Sequence, residues 1–135
     1  MSKIKVFALP VRVYFQDTDA GGVVYHASYV NFMERARTEW LRTHGYSNAG
    51  LMKEFGVIFV VRSLKLDYFK PALLDDLLNV TAQIKDAGRS RLTLLQSVLR
   101  GDELLTEGEV HLVCVSLEGF KPVSVPEVLR KQWKV

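Results

Sequence analysis

Residues 16–26 read QDTDAGGVVYH, which sets two acids, two adjacent glycines, a tyrosine and a histidine in one short turn. A strand pattern precedes this turn and a long amphipathic pattern follows it. The end of a strand joined to the start of a helix is a place with built-in chemistry. The first N–H groups of a helix lack intrahelical acceptors and the helix dipole is positive there, so an oxygen gaining negative charge is stabilised. The N–H groups near Tyr25, His26 and Ala27 are expected to point out of that end. Gly21 and Gly22 remove side chains from the approach and let a flat substrate group come close, so Gly22 is counted among the substrate-contacting positions. Asp19 lies upstream in a turn able to return its carboxylate to the same spot. A carboxylate that attacks or activates water, together with donors for a tetrahedral oxyanion, are the two parts acyl hydrolysis needs. The same residue types also make an ordinary capped turn, and spacing alone does not choose between the two. Asp17 is expected to set the turn geometry or to order the loop through a hydrogen bond.

The elements that must hold this turn follow from hydrophobic period. Val11, Val13 and Phe15 alternate with Arg12, Tyr14 and Gln16, predicting a first strand that ends at the turn. Tyr29, Val30, Met33, Ala36, Trp40 and Leu41 share one face at helical spacing, predicting a helix of about four to five turns, with Ser28 as N-cap and Gly45 as its stop. The stretch YSNAGLMKEFG suggests one or two more helical turns. Strands then dominate: Leu64, Leu66 and Tyr68 alternate with polar neighbours, as do Leu78, Val80, Ala82 and Ile84. Leu92 to Leu99 reads as a strand covered on both faces, and Arg100 to Glu103 as a hairpin turn. Leu104, Val110, Leu112 and Cys114 share one side of a final long strand. Short connections force antiparallel strands. The class is therefore α+β, a five-stranded antiparallel sheet wrapped around one long central helix. The uncovered sheet face and edges predict a homo-oligomer, dimer or tetramer.

At 135 residues the chain suits one domain, 1–135, and its 48% hydrophobic and 24% charged residues are those of a soluble globular protein. No apolar run is long enough to span a bilayer and no signal peptide is evident, which predicts the cytoplasm. Eighteen Lys and Arg against 15 Asp and Glu give +3, mostly scattered, which favours an anionic small molecule over nucleic acid. Cys114 is the only cysteine and reads as a buried structural residue. No His, Cys and acid cluster has the spacing of metal ligands, so neither a metal nor a redox cofactor is expected. His44 at the end of a helix and His111 on the polar side of a strand read as structural.

The segment VRVYFQDTDAGGVVYHASYVNFMERARTEWLR, with FVVRSLKLDYFKPALLDDLLNV and EGEVHLVCVSLEGFKPVSVP beyond it, resembles the hot-dog-fold acyl-CoA thioesterases of the 4-hydroxybenzoyl-CoA type. Within them it is most similar to the YbgC-type bacterial thioesterases encoded with the Tol-Pal envelope system. The resemblance implies hydrolysis of an acyl-CoA thioester to free acid and coenzyme A, with Asp19 as nucleophile or general base. It implies that the main-chain N–H at His26 polarises the thioester carbonyl, and it pairs Tyr25 with His26, whose imidazole would orient water or Asp19. It also implies a pantetheine arm running between subunits and nucleotide phosphates held by Arg89, Ser90 and Arg91, with Arg62 a further candidate. Glu34, in NFMERARTEW, is expected to anchor Arg35, Arg37 or a partner subunit. Tyr29, Phe32, Met33 and Trp40 line either the acyl pocket or the core. Two other readings stay open at this level. One is a non-catalytic module that binds acyl-CoA, acyl carrier protein or phospholipid-synthesis enzymes, and the other is a hot-dog dehydratase with His26 as base, against which the loop motif speaks.

Overall fold

In the computed structural model, which describes residues 6–134, one sheet carries five strands: β1 (Phe7–Arg12), β2 (Val57–Tyr68), β3 (Leu77–Ala87), β4 (Arg91–Arg100) and β5 (Glu103–Ser116). Three helices accompany it: α1 (Ser28–Arg42), α2 (Asn48–Phe55) and α3 (Glu127–Trp133). The strands lie in the order β1-β3-β4-β5-β2 and every pairing is antiparallel. The α+β class, the antiparallel sheet and the long helix are those expected from the sequence.

Helix α1 spans the inner face of the sheet because its apolar stripe feeds two core clusters. Tyr29, Phe32, Met33 and Ala36 are buried with Val11, Leu78, Val80 and Val98, while Trp40 and Leu41 are buried with Leu92, Leu94, Val110 and Leu112. Each such side chain contributes roughly 1.5–3 kcal/mol on burial, which fixes the helix against the sheet. Contact is closest at Gly108 on β5, where an added Cβ would stand 2.7 Å from Leu66 and 2.9 Å from the Met33 sulfur.

Four local expectations are corrected. β1 ends at Arg12, and Phe15–Asp17 forms a 3-10 turn instead of continuing the strand; Val13 is fully buried and pairs with the segment before β3, its N–H donating to the Asp76 carbonyl at 2.9 Å. Ser28 opens α1 and does not cap it: Ala27 is the cap residue, without a side-chain bond, and the Ser28 hydroxyl donates to the Asp17 carbonyl at 3.2 Å. β4 is not covered on both faces. Leu92, Leu94, Gln96 and Val98 are buried, but Thr93, Leu95, Ser97 and Leu99 are only partly so, since the chain supplies one helical layer. Leu104 leaves the buried side of β5, where Leu105 takes the core position, because the register shifts between Val98 and Leu99.

Two features of the fold were not legible. The first is α3, whose Trp133 stacks on Trp40 with ring centroids 5.5 Å apart. The second is the course of Phe69 to Asp76. β2 and β3 are consecutive, yet β2 is an edge strand beside β5 while β3 lies between β1 and β4. The connection must cross the ends of β5 and β4, about 14 Å at ~4.8 Å per strand, well within reach of an extended segment of that length, about 26 Å. It is held on the way by Phe69 and Lys70 N–H groups donating to the Leu105 carbonyl, at 2.8 and 3.1 Å.

Candidate active site

The loop that joins β1 to α1 is a miniature hairpin. Thr18 bridges Val24, Asp19 N–H donates to the Val23 carbonyl at 2.9 Å, and Tyr25 N–H donates to the Asp17 carbonyl at 2.8 Å. Asp17 stands at its base and is buried; its Oδ2 accepts from Tyr14 N–H at 2.8 Å. That is the loop-ordering role expected for it. Asp19 stands at the tip and is exposed. Its Oδ1 accepts from Gly21 N–H at 2.8 Å, and Gly22 completes the turn with φ +82°, a conformation L side chains rarely adopt. The second carboxylate oxygen makes no hydrogen bond to the described residues. Two strand steps, about 7 Å, separate the level of Asp19 from that of the Asp17–Tyr25 pairing, after which the chain enters α1.

One of the three donors expected at that start is already used: Tyr25 N–H is bonded to Asp17. The N–H groups of His26 and Ala27 have no main-chain or side-chain acceptor among the described residues. Both residues are exposed, and the Tyr25 and His26 rings lie 4.4 Å apart, tilted by 48°. Tyr68, at the end of β2, was not singled out from the sequence. Its hydroxyl donates to the His26 carbonyl at 2.8 Å, its ring packs edge-on against Tyr29 at 5.4 Å, and partial burial, with Tyr29 nearby, pushes its phenol above the ordinary value. Tyr29 in turn accepts from Ala72 N–H at 3.0 Å, and Val24 N–H donates to the Ala72 carbonyl at 2.9 Å. The crossing segment from Phe69 to Asp76 thus anchors the hairpin from behind.

Of the basic candidates, Arg62 and Arg91 line one cleft of ≈ 350 Å³ together with Ser63, Thr93 and His111. Arg62 is the extra residue where the β2 register shifts between Val61 and Ser63. Arg89 and Ser90 lie beside the cleft and tie the turn, their carbonyls accepting from Val125 N–H at 2.8 Å and Cys114 N–H at 2.7 Å. His111, expected as a structural residue on the polar side of a strand, lines this cleft. In the cleft its Nδ1 lies 3.1 Å from the Thr93 hydroxyl and its Nε2 3.4 Å from Glu109. His44 packs against Trp40 and Trp133 with Nδ1 3.0 Å from the Trp40 carbonyl, a structural setting. Cys114 is buried, and burial pushes its thiol up to about 11. Glu34 is exposed and acts on Arg37 through its charge, with no ion pair among the described residues. Tyr29, Phe32 and Met33 are core residues, whereas Trp40 also lines a second cleft between α1 and the sheet.

A helix laid across one face of a five-stranded antiparallel sheet, with an acid-bearing loop at the helix start, defines a hot-dog protein of the thioesterase kind. The thioesterase-like superfamily matches residues 13–133. The acyl-CoA thioester hydrolase YbgC of Escherichia coli O6:H1 is 47% identical over 130 residues, 96% of each chain. The acyl-CoA thioesterase YbgC of Haemophilus influenzae is 44% identical over 124 residues, 92% of this chain and 91% of the other. Among solved structures, a probable thioesterase from Bartonella henselae superposes with a TM-score of 0.86 at 34% identity, covering 90% of this chain and all of its own. The chain belongs to the thioesterase-like superfamily, and the YbgC-type resemblance read in its sequence is borne out.

Proposed function

We propose that this protein hydrolyses acyl-CoA thioesters to the free acid and coenzyme A, with Asp19 as the attacking or water-activating carboxylate. The reading rests on one observation above the others: the loop leading into α1 carries an exposed carboxylate, Asp19, bonded to Gly21 N–H, and the His26 and Ala27 N–H groups that follow in the same loop have no acceptor among the described residues. The likeness to curated acyl-CoA thioester hydrolases over 96% of the chain supports it. In the reaction water adds its oxygen to the acyl carbon, the carbon–sulfur bond breaks, and the proton leaves with the thiol. Asp19 serves either as nucleophile, through an acyl-aspartyl anhydride that water then opens, or as the base that takes the proton from water. The His26 N–H stabilises the oxyanion in both cases, a donor worth about 3 kcal/mol of barrier. Tyr25 and the His26 ring border the approach, which Gly22 keeps open. The Arg62 and Arg91 cleft suits the anionic phosphates of coenzyme A, with Arg89 and Ser90 at its rim.

The active form is a homo-oligomer. Asp19 is solvent-exposed in the single chain and β2 is an open edge of 12 residues, so a second copy would both pair the edge and wall the site. The test is thiol release from a panel of acyl-CoAs. Asp19→Asn, which keeps shape and removes charge, is expected to cut kcat by about 10²–10⁴-fold. Undiminished release in Asp19→Asn would sink the catalytic assignment, and tight binding without release in the unaltered protein would instead favour an acyl-CoA or acyl-carrier-protein binding module.

A further inference from the structure

The second half of α1 and the inner faces of β2, β4 and β5 enclose a cleft of ≈ 260 Å³. Phe59, Leu94 and Leu112 give it apolar walls, while Glu34, Arg37 and Asn48 supply polar groups. Arg37 is unusual among these. It is half-buried, and no carboxylate among the described residues lies within ion-pair distance of it. Its one hydrogen bond runs from Nη1 to the Gln96 side-chain oxygen at 3.0 Å.

Gln96 fixes that geometry. It is fully buried on β4, and its amide nitrogen donates to the Met33 carbonyl at 3.0 Å and the Thr81 carbonyl at 3.1 Å. Both amide hydrogens are therefore used, and turning the amide over would set oxygen against two carbonyls. The oxygen must face Arg37. The guanidinium, with five N–H donors, is held at the cleft by a neutral acceptor and keeps most of its donors unbonded. Burial makes the cation harder to hold, and the nearby Glu34 charge only partly offsets this. A half-buried guanidinium without a carboxylate is costly unless something completes it.

We propose that this cleft receives the acyl group and that Arg37 selects acyl groups carrying an oxygen acceptor at the distal end, a carboxylate or a hydroxyl. The inference rests on the thioesterase reading and names the substrate class of that same enzyme. At ≈ 260 Å³ the cleft falls just short of the ~300–1,000 Å³ of sites that hold whole small molecules, a size for an acyl group and not for its coenzyme. Glu34 bears on which oxygen is taken: a hydroxyl accepts from Arg37 and donates to Glu34, whereas a carboxylate takes the Arg37 charge and is repelled by Glu34.

The test compares kcat/KM of the full chain for hexanoyl-CoA, omega-hydroxyhexanoyl-CoA and adipoyl-CoA, matched in length. An oxygenated substrate is expected to exceed hexanoyl-CoA by at least about 10-fold, since a site built to bond an oxygen discriminates against its absence. Arg37→Met is expected to erase that ratio and Arg37→Lys to retain part of it. Whether the hydroxyl or the carboxylate substrate leads identifies which oxygen is taken. A preference for hexanoyl-CoA, or an equal fall on all three substrates in Arg37→Met, would overturn the proposal and leave Arg37 a packing residue. Cleavage of none of the three would count against the hydrolase reading separately. Calorimetry with free adipate, omega-hydroxyhexanoate and hexanoate then decides: oxygen-selective binding lost in Arg37→Met supports the cleft assignment, and equal or absent binding defeats it.

Discussion

The two acids of the turn differ in what surrounds their oxygens. Asp17 is buried with its carboxylate on Tyr14 N–H and its carbonyl on Tyr25 N–H, so Asp17→Ala should destabilise the loop by about 1 kcal/mol or more, seen as a lowered Tm. Gly22 holds φ +82°, and Gly22→Ala should cost about 1–2 kcal/mol from the Cβ clash of that conformation, with activity falling as the Asp19 turn loosens. Cys114 gives a signature in pH. The folded chain keeps its thiol proton to about 11, against 9.0 for an ordinary thiol. Across that window the unfolded state is the one that ionises, so stability present below pH 9 falls as pH rises, by on the order of 2 kcal/mol. Chemical denaturation at stepped pH should show a shallower alkaline decline in Cys114→Ala than in the unaltered chain.

At the level of elements, α1 and β5 approach closely because Gly108 has no side chain. Gly108→Ala would force Met33 and Leu66 to move, and overpacking of this kind costs about 1–3 kcal/mol, measurable by urea unfolding. The crossing segment behind the Asp19 loop is clamped by Arg100. Its guanidinium bonds Asp76 at 2.7 Å and Glu103 at 2.7 Å, and Lys70 bonds Glu103 at 2.9 Å. The hydrogen bonds from Lys70 and Arg100 hold the Glu103 carboxyl below its usual range. This stability is present at neutral pH and is lost as pH falls through the lowered Glu103 value. Exchange protection of the Lys70 amide should therefore decline on acidification, and Glu103→Gln should remove much of that dependence.

For the whole molecule, the open outer edge of β2 and the part-buried outer face of β4 leave surface that one chain does not cover. Light scattering should return a multiple of the chain mass, and a fully active monomer would contradict the proposed oligomer. No helix among the described residues is long and apolar enough to cross a membrane.

The class, the long helix, most strands and the Asp19 turn were legible in the sequence because each rests on local period or on residues adjacent in the chain. A 3.6-residue stripe from Tyr29 to Leu41 and the turn chemistry of two glycines need no distant partner to be read. What only the tertiary structure decided is everything made by residues far apart in sequence. That Arg62 and Arg91 share a cleft with His111, that Tyr68 bonds the His26 carbonyl, and that Gln96 aims Arg37 all depend on strand order and register. A one-residue bulge such as that at Arg62 changes which face a side chain takes, and no local pattern announces it.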